Sequence, residues 1–464
     1  MEHTQITQYM PLFTCNPVAD IPSSPLHEFV KKHPHIHFIR LQWQDYSGLL
    51  RARLVATTRV LALMAVGNPV HTPPIAFHCI VDNNLVPGLD LTGNHFLIPD
   101  WSSLRLIPTS SHSATAMCGV LATTPARPIP DLDLCPRRAL VSVIRQAAEK
   151  FNLEFLVGFE VEFEIMRRPS SEDDENLIPA CEGLGRYAVD GLRDPHFTLV
   201  EEAIIRLLDS GVDIQAVQTE GRRGQYELSL GPRTPLEGVD ELIFVHDTMK
   251  TMLARHNLVV TMAPKPVQGR RQAVGQHTHI SISRPEHERE FLSGILHRLP
   301  ALCATCMPYD ISYERVQPYL AGNHVAWGTD NREVPVRKIR PGHWEVRCVD
   351  ATANMYLALA AILGAGLLGV EQKQEIQWED TAYPVHKCLD GHGQKPNGFH
   401  QLEVEMLPRN IDSALSSLQK VKDDLGKVMN SCILDHYIRT KRFEAACLSE
   451  KKLEEVRNLL NKLF

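Results

Sequence analysis

Alternating apolar and polar positions near the start of the chain predict a small β-rich unit. Residues 36–55 contain two such runs, joined by a segment with Asp45 and Gly48. This pattern is typical of a β-hairpin, because successive side chains of a strand point to opposite faces. Residues 122–136 then contain four prolines, which lack the N–H that a strand ladder needs. We predict an extended connection and a domain boundary there.

Beyond this boundary the pattern indicates alternating helices and strands. Apolar residues recur at helical spacing from Leu140 to Phe151, and again from Leu415 to Val428. Such alternation favours an α/β or α+β catalytic body, and the helices that follow residue 428 are expected to provide packing or assembly surface. The predicted strands are 155–166, 213–218, 225–230, 258–262 and 276–283, and the predicted helices are 197–210, 238–256 and 291–304.

One apolar segment is long enough to span a bilayer, since 20 uncharged residues separate Asp350 from Glu371. It contains Thr352, Asn354 and three glycines, and basic anchors do not flank it. These features favour a buried core helix over a membrane span. We therefore expect no membrane association.

Composition narrows the class of protein further. The chain has 464 residues, of which 44% are hydrophobic and 22% are charged, which is typical of a globular protein. The 48 Lys+Arg residues against 55 Asp+Glu residues argue against a nucleic-acid partner. Residues 1–24 do not resemble a signal peptide, and the odd count of eleven cysteines favours reduced thiols, so we expect a cytoplasmic protein. Cys303 and Cys306 are interpreted as buried thiols one helical turn apart.

Acidic and histidine residues recur at strand spacing. Glu160, Glu162 and Glu164 would share one face of a strand whose other face is apolar. A solvent-facing row is the alternative, but half-buried carboxylates raise one another's pKa, and a divalent cation would neutralise them. Farther along, Glu220 and Glu227 flank a Gly-Gln turn, and His277, His279 and Ser281 share another strand face. Carboxylates with imidazole suit Mg²⁺ or Mn²⁺.

Arginines are dense near the C-terminal side of these motifs. Arg332, Arg337, Arg340 and Arg347 lie within sixteen residues, and Arg315 lies upstream. Guanidinium groups match carboxylate and phosphate oxygens, so the cluster predicts a pocket for phosphoryl transfer or for an anionic substrate, with a salt-bridged surface as the alternative. A phosphate-binding G-x-x-x-x-G-K-[ST] loop does not occur in the sequence.

Taken in order, the motifs resemble the glutamine synthetase family, in particular its type I branch and the glutamine-synthetase-like relatives that include fungal FluG-like proteins. The resemblance runs from Asp45 to the C-terminal helices. The motifs are D-x-x-G at 45–48, E-x-E at 160–162, E-x3-G-Q-x-E at 220–227, H-x-H-x-S at 277–281, and W-G-x-x-N-R with E-x-R-x-x-D-x-x-A-N at 327–354.

The resemblance implies an α+β fold and an oligomer. Residues 1–24 would be a tail, residues 25–128 a β-grasp domain, and residues 129–464 a catalytic domain with a curved antiparallel sheet and helices. It also implies active sites between the subunits of stacked rings, as in a homo-dodecamer.

The resemblance further implies a site that holds two to three Mg²⁺ or Mn²⁺ ions and uses ATP as co-substrate. Asp45, from a neighbouring subunit, would take a proton from the amine, and Arg332 and Arg337 would also be catalytic. The acid substrate would contact Arg315, Arg332, Arg347 and Glu162. The nucleotide would contact Tyr187, His279, Ser281, Arg337 and Arg340. The metal ligands would be Glu160, Glu162, Glu220, Glu227, His277 and Glu345.

The amine half of the site departs from the family pattern. Residues 316–326 contain no acidic residue, whereas glutamine synthetases place a glutamate there on a flap over ammonium. Gly322 and Ala326 are small and are expected to leave room for a carbon chain. We therefore expect an ATP-dependent carboxylate–amine ligase that uses an acyl phosphate and an amine larger than ammonia. A glutamine synthetase and an inactive structural or developmental-signalling relative are the alternatives.

Overall fold

The computed structural model describes residues 24–88, 92–124, 127–169, 176–381 and 405–464. Apart from Ser24, the predicted tail lies outside them. The α-helices within these residues are α1 Pro25–Lys32, α2 Thr57–Ala65, α3 Ile75–His78, α4 Pro136–Phe151, α5 Phe197–Asp209, α6 Pro235–Ala254, α7 Glu288–Cys306, α8 Met355–Glu371, α9 Ile411–Met429, α10 Ile433–Ser449 and α11 Leu453–Leu463.

The first part of the chain forms a seven-stranded sheet. Its strands are β1 Phe38–Gln44, β2 Leu50–Ala56, β3 Val70–Thr72, β4 His95–Pro99, β5 Arg105–Leu106, β6 Ser113–Thr124 and β7 Arg127–Asp131. The main order is β2-β1-β6-β4-β3, with β5 and β7 also paired to β6. The hairpin β1–β2 confirms the predicted one, and β1 runs parallel to β6.

The second part forms a nine-stranded sheet that carries most of the predicted site residues. Its strands are β8 Phe155–Arg167, β9 Ile178–Pro179, β10 Ile214–Thr219, β11 Gln225–Leu230, β12 Leu258–Thr261, β13 Gln276–Ile282, β14 Trp327–Thr329, β15 Val336–Arg340 and β16 His343–Val346. The main order is β10-β11-β8-β13-β16-β15-β14, with β9 and β12 also on β8. Most pairs are antiparallel, so the two sheets and their helices confirm the α+β class.

All five predicted strands and three predicted helices of the catalytic part are present. The apolar segment after Asp350 is the buried helix α8, whose N-terminus is capped by Asn354. No helix in the described part of the chain combines the length and apolarity needed to cross a membrane. Cys303 and Cys306 lie buried on α7, as predicted.

Two features differ from the sequence-based expectation. The proline-rich segment contains β7, whose register pairs with β6 are Asp131 with Ala122 and Arg127 with Thr124. The residues of β7 that pair are not prolines, so the strand tolerates Pro128 and Pro130 between them. Strands β14 to β16 were not predicted, because each has five residues or fewer and an irregular apolar pattern.

One continuous hydrophobic core connects the two sheets. It contains Ile39 and Leu41 of the first sheet, Val161 and Phe163 of the second, and Val143 of α4. The predicted domain boundary near residue 128 stays a prediction.

Candidate active site

Strand β8 places carboxylates at the centre of the second sheet. In the strand register, Glu162 lies opposite Glu227 of β11, and Glu160 lies opposite His277 of β13. Glu345 of β16 then lies opposite His279, one further step across the sheet. Neighbouring strands are about 4.8 Å apart. Residues distant in sequence are thereby brought onto one face.

Two groups of metal-ligand types share one histidine. Glu160, His277 and Glu345 form the first group, and Glu162, Glu227 and His277 form the second, with ligand atoms within 4.8 Å of one another in each. His277 Nδ1 lies 3.0 Å from Glu160 Oε2 and 3.2 Å from Glu345 Oε1, and its Nε2 lies 3.7 Å from Glu162 Oε1. The imidazole thus stands between the two sets of carboxylates.

The second group concentrates negative charge in a buried place. Burial, followed by the neighbouring carboxylates Glu160 and Glu162, raises the pKa of Glu227 to about 9. Burial and Glu162 also raise the pKa of Glu220. A cation would favour the ionised carboxylates, so this part of the site fits a divalent ion with oxygen ligands.

The first group already has positive partners. Burial acts to raise the pKa of Glu160, but hydrogen bonds from His277 and His279 outweigh it and lower that pKa. Burial of Glu345 is likewise outweighed by His277 and Arg347, so its pKa is lowered. Arg347 donates a hydrogen bond to Glu345, and Arg337 donates another over 3.1 Å.

Three guanidinium groups border these carboxylates. Arg315 is 1% exposed and donates to the carbonyl oxygens of Val349 and Arg347, at 3.0 and 3.1 Å. Among the described residues, the buried Nε atoms of Arg315, Arg337 and Arg347 have no hydrogen-bond partner. Unsatisfied guanidinium N–H groups in a cavity can bind an anion.

Gly275 allows the carboxylates and Arg315 to approach. Its backbone N–H donates to Glu162 Oε2 over 2.7 Å. A Cβ at this position would lie 2.7 Å from a guanidinium nitrogen of Arg315 and 2.9 Å from His277 Nε2. A larger residue would therefore displace a site side chain.

These side chains line a cavity of about 680 Å³. Most of the predicted site residues lie around it, including Tyr187 and Arg332, whose side chains are exposed to solvent. The predicted residues that line it are Glu160, Glu162, Tyr187, Glu220, Glu227, His277, Arg315, Arg332, Arg337, Glu345 and Arg347.

Four predicted residues, His279, Ser281, Arg340 and Asp45, do not line this cavity. His279 is close to the site, with Nε2 3.1 Å from Glu160 Oε1 and Nδ1 3.2 Å from His343 Nε2. Ser281 lies farther along β13, and Arg340 ends β15 with an exposed side chain. Their predicted contacts with the nucleotide stay predictions.

Asp45 does not line the cavity of its own chain. Its carboxylate is buried, accepts hydrogen bonds from the backbone N–H groups of Ser47 and Leu49, and pairs with Arg51 at 2.7 Å. Burial raises its pKa to about 6, although Arg51 acts in the opposite direction. Its role in a neighbouring subunit stays a prediction.

Sequence reasoning missed residues that support the ligands. Gln218 lies opposite Glu227 in the β10–β11 register, and its Nε2 donates to Glu220 and Glu227 over 3.1 and 3.0 Å. Its position two residues before Glu220, at strand spacing, was the available signal. The third acid of β8, Glu164, instead forms an ion pair with Arg270 at 3.0 Å.

Several proteins of known name are similar to this chain in sequence. FluG of Emericella nidulans is 30% identical over 438 residues, which are 93% of this chain and 49% of FluG. The chain thus spans about half the length of that relative. The gamma-glutamylpolyamine synthetase GlnA3 of Streptomyces coelicolor is 29% identical, over 80% of this chain and 83% of that protein. A glutamine synthetase of Methanocaldococcus jannaschii is 28% identical, over 90% and 93%.

A solved structure supports the fold, and a family match covers most of the chain. The structure of GmaS in complex with ADP has a TM-score of 0.78 and 24% identity, over 94% of this chain and 99% of that one. Residues 133–457 match the family described as glutamine synthetase, catalytic domain. The chain therefore belongs to the glutamine synthetase family.

Proposed function

We propose that the protein is an ATP-dependent ligase that joins a carboxylic acid to a primary amine through an acyl phosphate. The observation that carries this proposal is one cavity in which two groups of metal-ligand types share His277 and face Arg315, Arg337 and Arg347. Phosphoryl transfer depends on neutralising charge around the transferred group, and this arrangement supplies both kinds of positive charge.

Divalent ions fit the donor set of the site. Glu160, His277 and Glu345 would hold one Mg²⁺ or Mn²⁺ ion, and Glu162 and Glu227 would hold another with Glu220 nearby. When bound, these ions would neutralise the charge on the phosphate oxygens. The crowding that raises the pKa of Glu227 supports their presence.

The arginines would divide between the two anionic substrates. A carboxylate is a poor electrophile, so ATP must first convert it to an acyl phosphate. Arg315 and Arg347, with the exposed Arg332, would hold the acid, and Arg337 would face the ATP phosphates from β15. Fixed guanidinium groups hold the reacting oxygens together, and such positioning lowers the barrier.

The second step forms the amide. The amine nitrogen bonds to the acyl carbon, the bond from that carbon to the phosphate oxygen breaks, and inorganic phosphate leaves. The nitrogen loses a proton, so a base is useful. We propose that Asp45 of a neighbouring subunit, in a ring-shaped oligomer, accepts this proton.

We further propose that the acceptor is larger than ammonia. The segment 316–326 has no acidic residue, and it presents Tyr319 and Leu320 to the cavity. Gly322 and Ala326 do not provide the expected room. A Cβ at Gly322 would lie 2.8 Å from Pro335 Cδ, and Ala326 is buried. Ammonium needs negative or dipolar partners, whereas a carbon chain can contact Leu320.

We expect purified protein with ATP and Mg²⁺ to release phosphate in the presence of glutamate or another acid and to prefer alkylamines over ammonium. The expected preference in kcat/KM is roughly tenfold, or about 1.4 kcal/mol. Leu320→Glu should raise the kcat/KM for ammonium relative to the alkylamine, because it adds a carboxylate to the wall. Leu320→Gln is the matched uncharged control.

A tenfold preference of the unmodified protein for ammonium would contradict the acceptor proposal and indicate a glutamine synthetase. The ligase proposal itself would be contradicted if no acid supported phosphate release from ATP and hydroxylamine trapped no acyl product. That result would favour an inactive relative.

Nucleotide binding should depend on the divalent ion. We expect calorimetry to show tight ATP binding in Mg²⁺ or Mn²⁺ and at least roughly tenfold weaker binding in EDTA, because the carboxylates would otherwise repel the phosphates. Circular dichroism in EDTA is the control for folding. Equal ATP affinity in both solutions would show that the assigned ligands do not hold the ion beside the nucleotide.

A further inference from the structure

Two arginines line the cavity without a part in the proposed chemistry. Arg186 and Arg271 are both exposed. Within the described residues, no carboxylate forms an ion pair with either guanidinium group. Arg271 lies over the ring of Tyr319, 5.3 Å from its centroid.

A buried lysine fixes the backbone of the loop that carries Arg271. Lys265 is 3% exposed, and its Nζ donates to the carbonyl oxygens of Arg270, Arg271 and Gln272, at 2.8, 3.2 and 3.3 Å. The side chain of Arg270 pairs with Glu164. The backbone is therefore fixed at Arg271, whose side chain is directed to the cavity.

The segment that carries Arg186 is held in a similar way. The backbone N–H of Arg186 donates to the carbonyl oxygen of Glu220 over 2.5 Å, and that of Tyr187 donates to Thr219 over 3.1 Å. Both residues have positive φ, at 54° and 63°, which is an uncommon conformation for residues other than glycine. These contacts attach the segment to the end of β10.

Both arginines lie at the same end of the cavity. A Cβ at Gly221, next to Glu220, would lie 2.8 Å from Cγ of Gln272, so the loop of Arg271 meets the β10–β11 turn to which Arg186 is attached. Arg337, which would face the ATP phosphates, lies on β15 toward the opposite end of the sheet. With the phosphates there, Tyr187 beside Arg186 would face the amine, so the nucleotide contact expected for Tyr187 is not part of this proposal.

We propose that the acceptor amine carries an anionic group, such as a carboxylate, at the far end of its carbon chain, and that Arg186 and Arg271 bind this group. The proposal rests on the ligase function proposed above. The amine end would lie toward the acyl carbon, and the anionic end would lie at the cavity mouth. A polyamine would instead place a second ammonium group beside two guanidinium groups, and like charges repel.

Three acceptors with the same four-carbon chain test this proposal. We expect kcat/KM for 4-aminobutyrate to exceed that for n-butylamine and for putrescine by roughly fivefold to tenfold, the range for one or two partly exposed ion pairs. Hydroxylamine, which lacks a remote group, reports on acyl-phosphate formation separately. Failure of that trapping reaction would remove the ligase function and this proposal with it.

Substitutions of Arg186 and Arg271 test whether these residues bind the anionic group of the amine. Arg271→Gln and Arg186→Gln should each bring the ratio of kcat/KM for 4-aminobutyrate to that for n-butylamine closer to one. Arg271→Glu should reverse the order in favour of putrescine. Arg206→Gln, which removes an exposed arginine on α5, is the control and should leave the ratio unchanged.

Two results would overturn the proposal while hydroxylamine trapping persists. The first is equal or better use of n-butylamine or putrescine by the unmodified protein. The second is a ratio that does not change in the Arg186 and Arg271 variants. If the KM for the acid rises in those variants while the ratio stays constant, the arginines belong to the acid substrate.

Discussion

Replacing His277 with alanine should reduce ATP-dependent phosphate release by roughly 10³-fold or more, since fixed electrostatic groups at phosphoryl-transfer sites have effects of this order. His277 belongs to both groups of metal-ligand types, with Nδ1 toward Glu160 and Glu345 and Nε2 toward Glu162. Its loss would remove a ligand from the ion at Glu160 and Glu345, and a polar group beside Glu162 at the second ion. The measurement is steady-state phosphate release at saturating ATP and Mg²⁺.

Two comparisons make this test specific. His256→Ala removes an exposed histidine next to α6 and should retain the original rate. Mn²⁺ titration of the His277→Ala protein should show weakened binding of the ion at Glu160 and Glu345, because that ion loses its imidazole ligand. A variant that keeps its phosphate release, or that binds both ions as tightly as the unmodified protein, would contradict the assignment of His277 as a metal ligand.

Replacing Arg137 with methionine should lower the free energy of unfolding by about 3–5 kcal/mol, the usual effect of breaking a buried ion pair. Arg137 is the second residue of α4, and it joins Asp100, which follows β4, to Asp240 of α6. Its Nη2 atom is 2.7 Å from Asp100 and 2.8 Å from Asp240, and all three side chains are buried. The substitution would leave two buried carboxylates without their cation. Urea unfolding followed by tryptophan fluorescence measures the change.

Arg40→Met is the matched control for this prediction. Arg40 of β1 and Asp247 of α6 also connect the first sheet to the catalytic helices, at 2.7 Å, but their side chains are 26% and 30% exposed. An exposed pair contributes about 0–1 kcal/mol. Similar effects of the two substitutions would show that burial of the Arg137 network does not determine its contribution.

Local patterns in the sequence determined much of the fold. The period-two pattern of residues 155–166 predicted β8, and the apolar run after Asp350 predicted α8, because burial on one or all faces leaves a clear hydrophobic pattern. The same reasoning failed for β14 to β16. Those strands have three to five residues each, which is too few to carry a clear pattern, and among the described strands only β16 pairs with a strand outside the group, β13.

The sequence also identified the chemistry of the ligands, since Glu160, Glu162 and His277 stand at strand spacing on β8 and β13. Spacing within a strand could not determine which carboxylates meet across strands. The register did so, by placing Glu227 opposite Glu162 and His277 opposite Glu160.

Tertiary structure alone decided the environment of each group. It paired Glu164 with Arg270, buried the carboxylate of Asp45 beside Arg51, and brought Arg186 and Arg271 to one end of the cavity. Burial, charge and contact distance depend on which segments pack together, and those segments are separated by up to hundreds of residues along the chain. The residue types thus determined what chemistry the site can support, and the packing decided which of them share it.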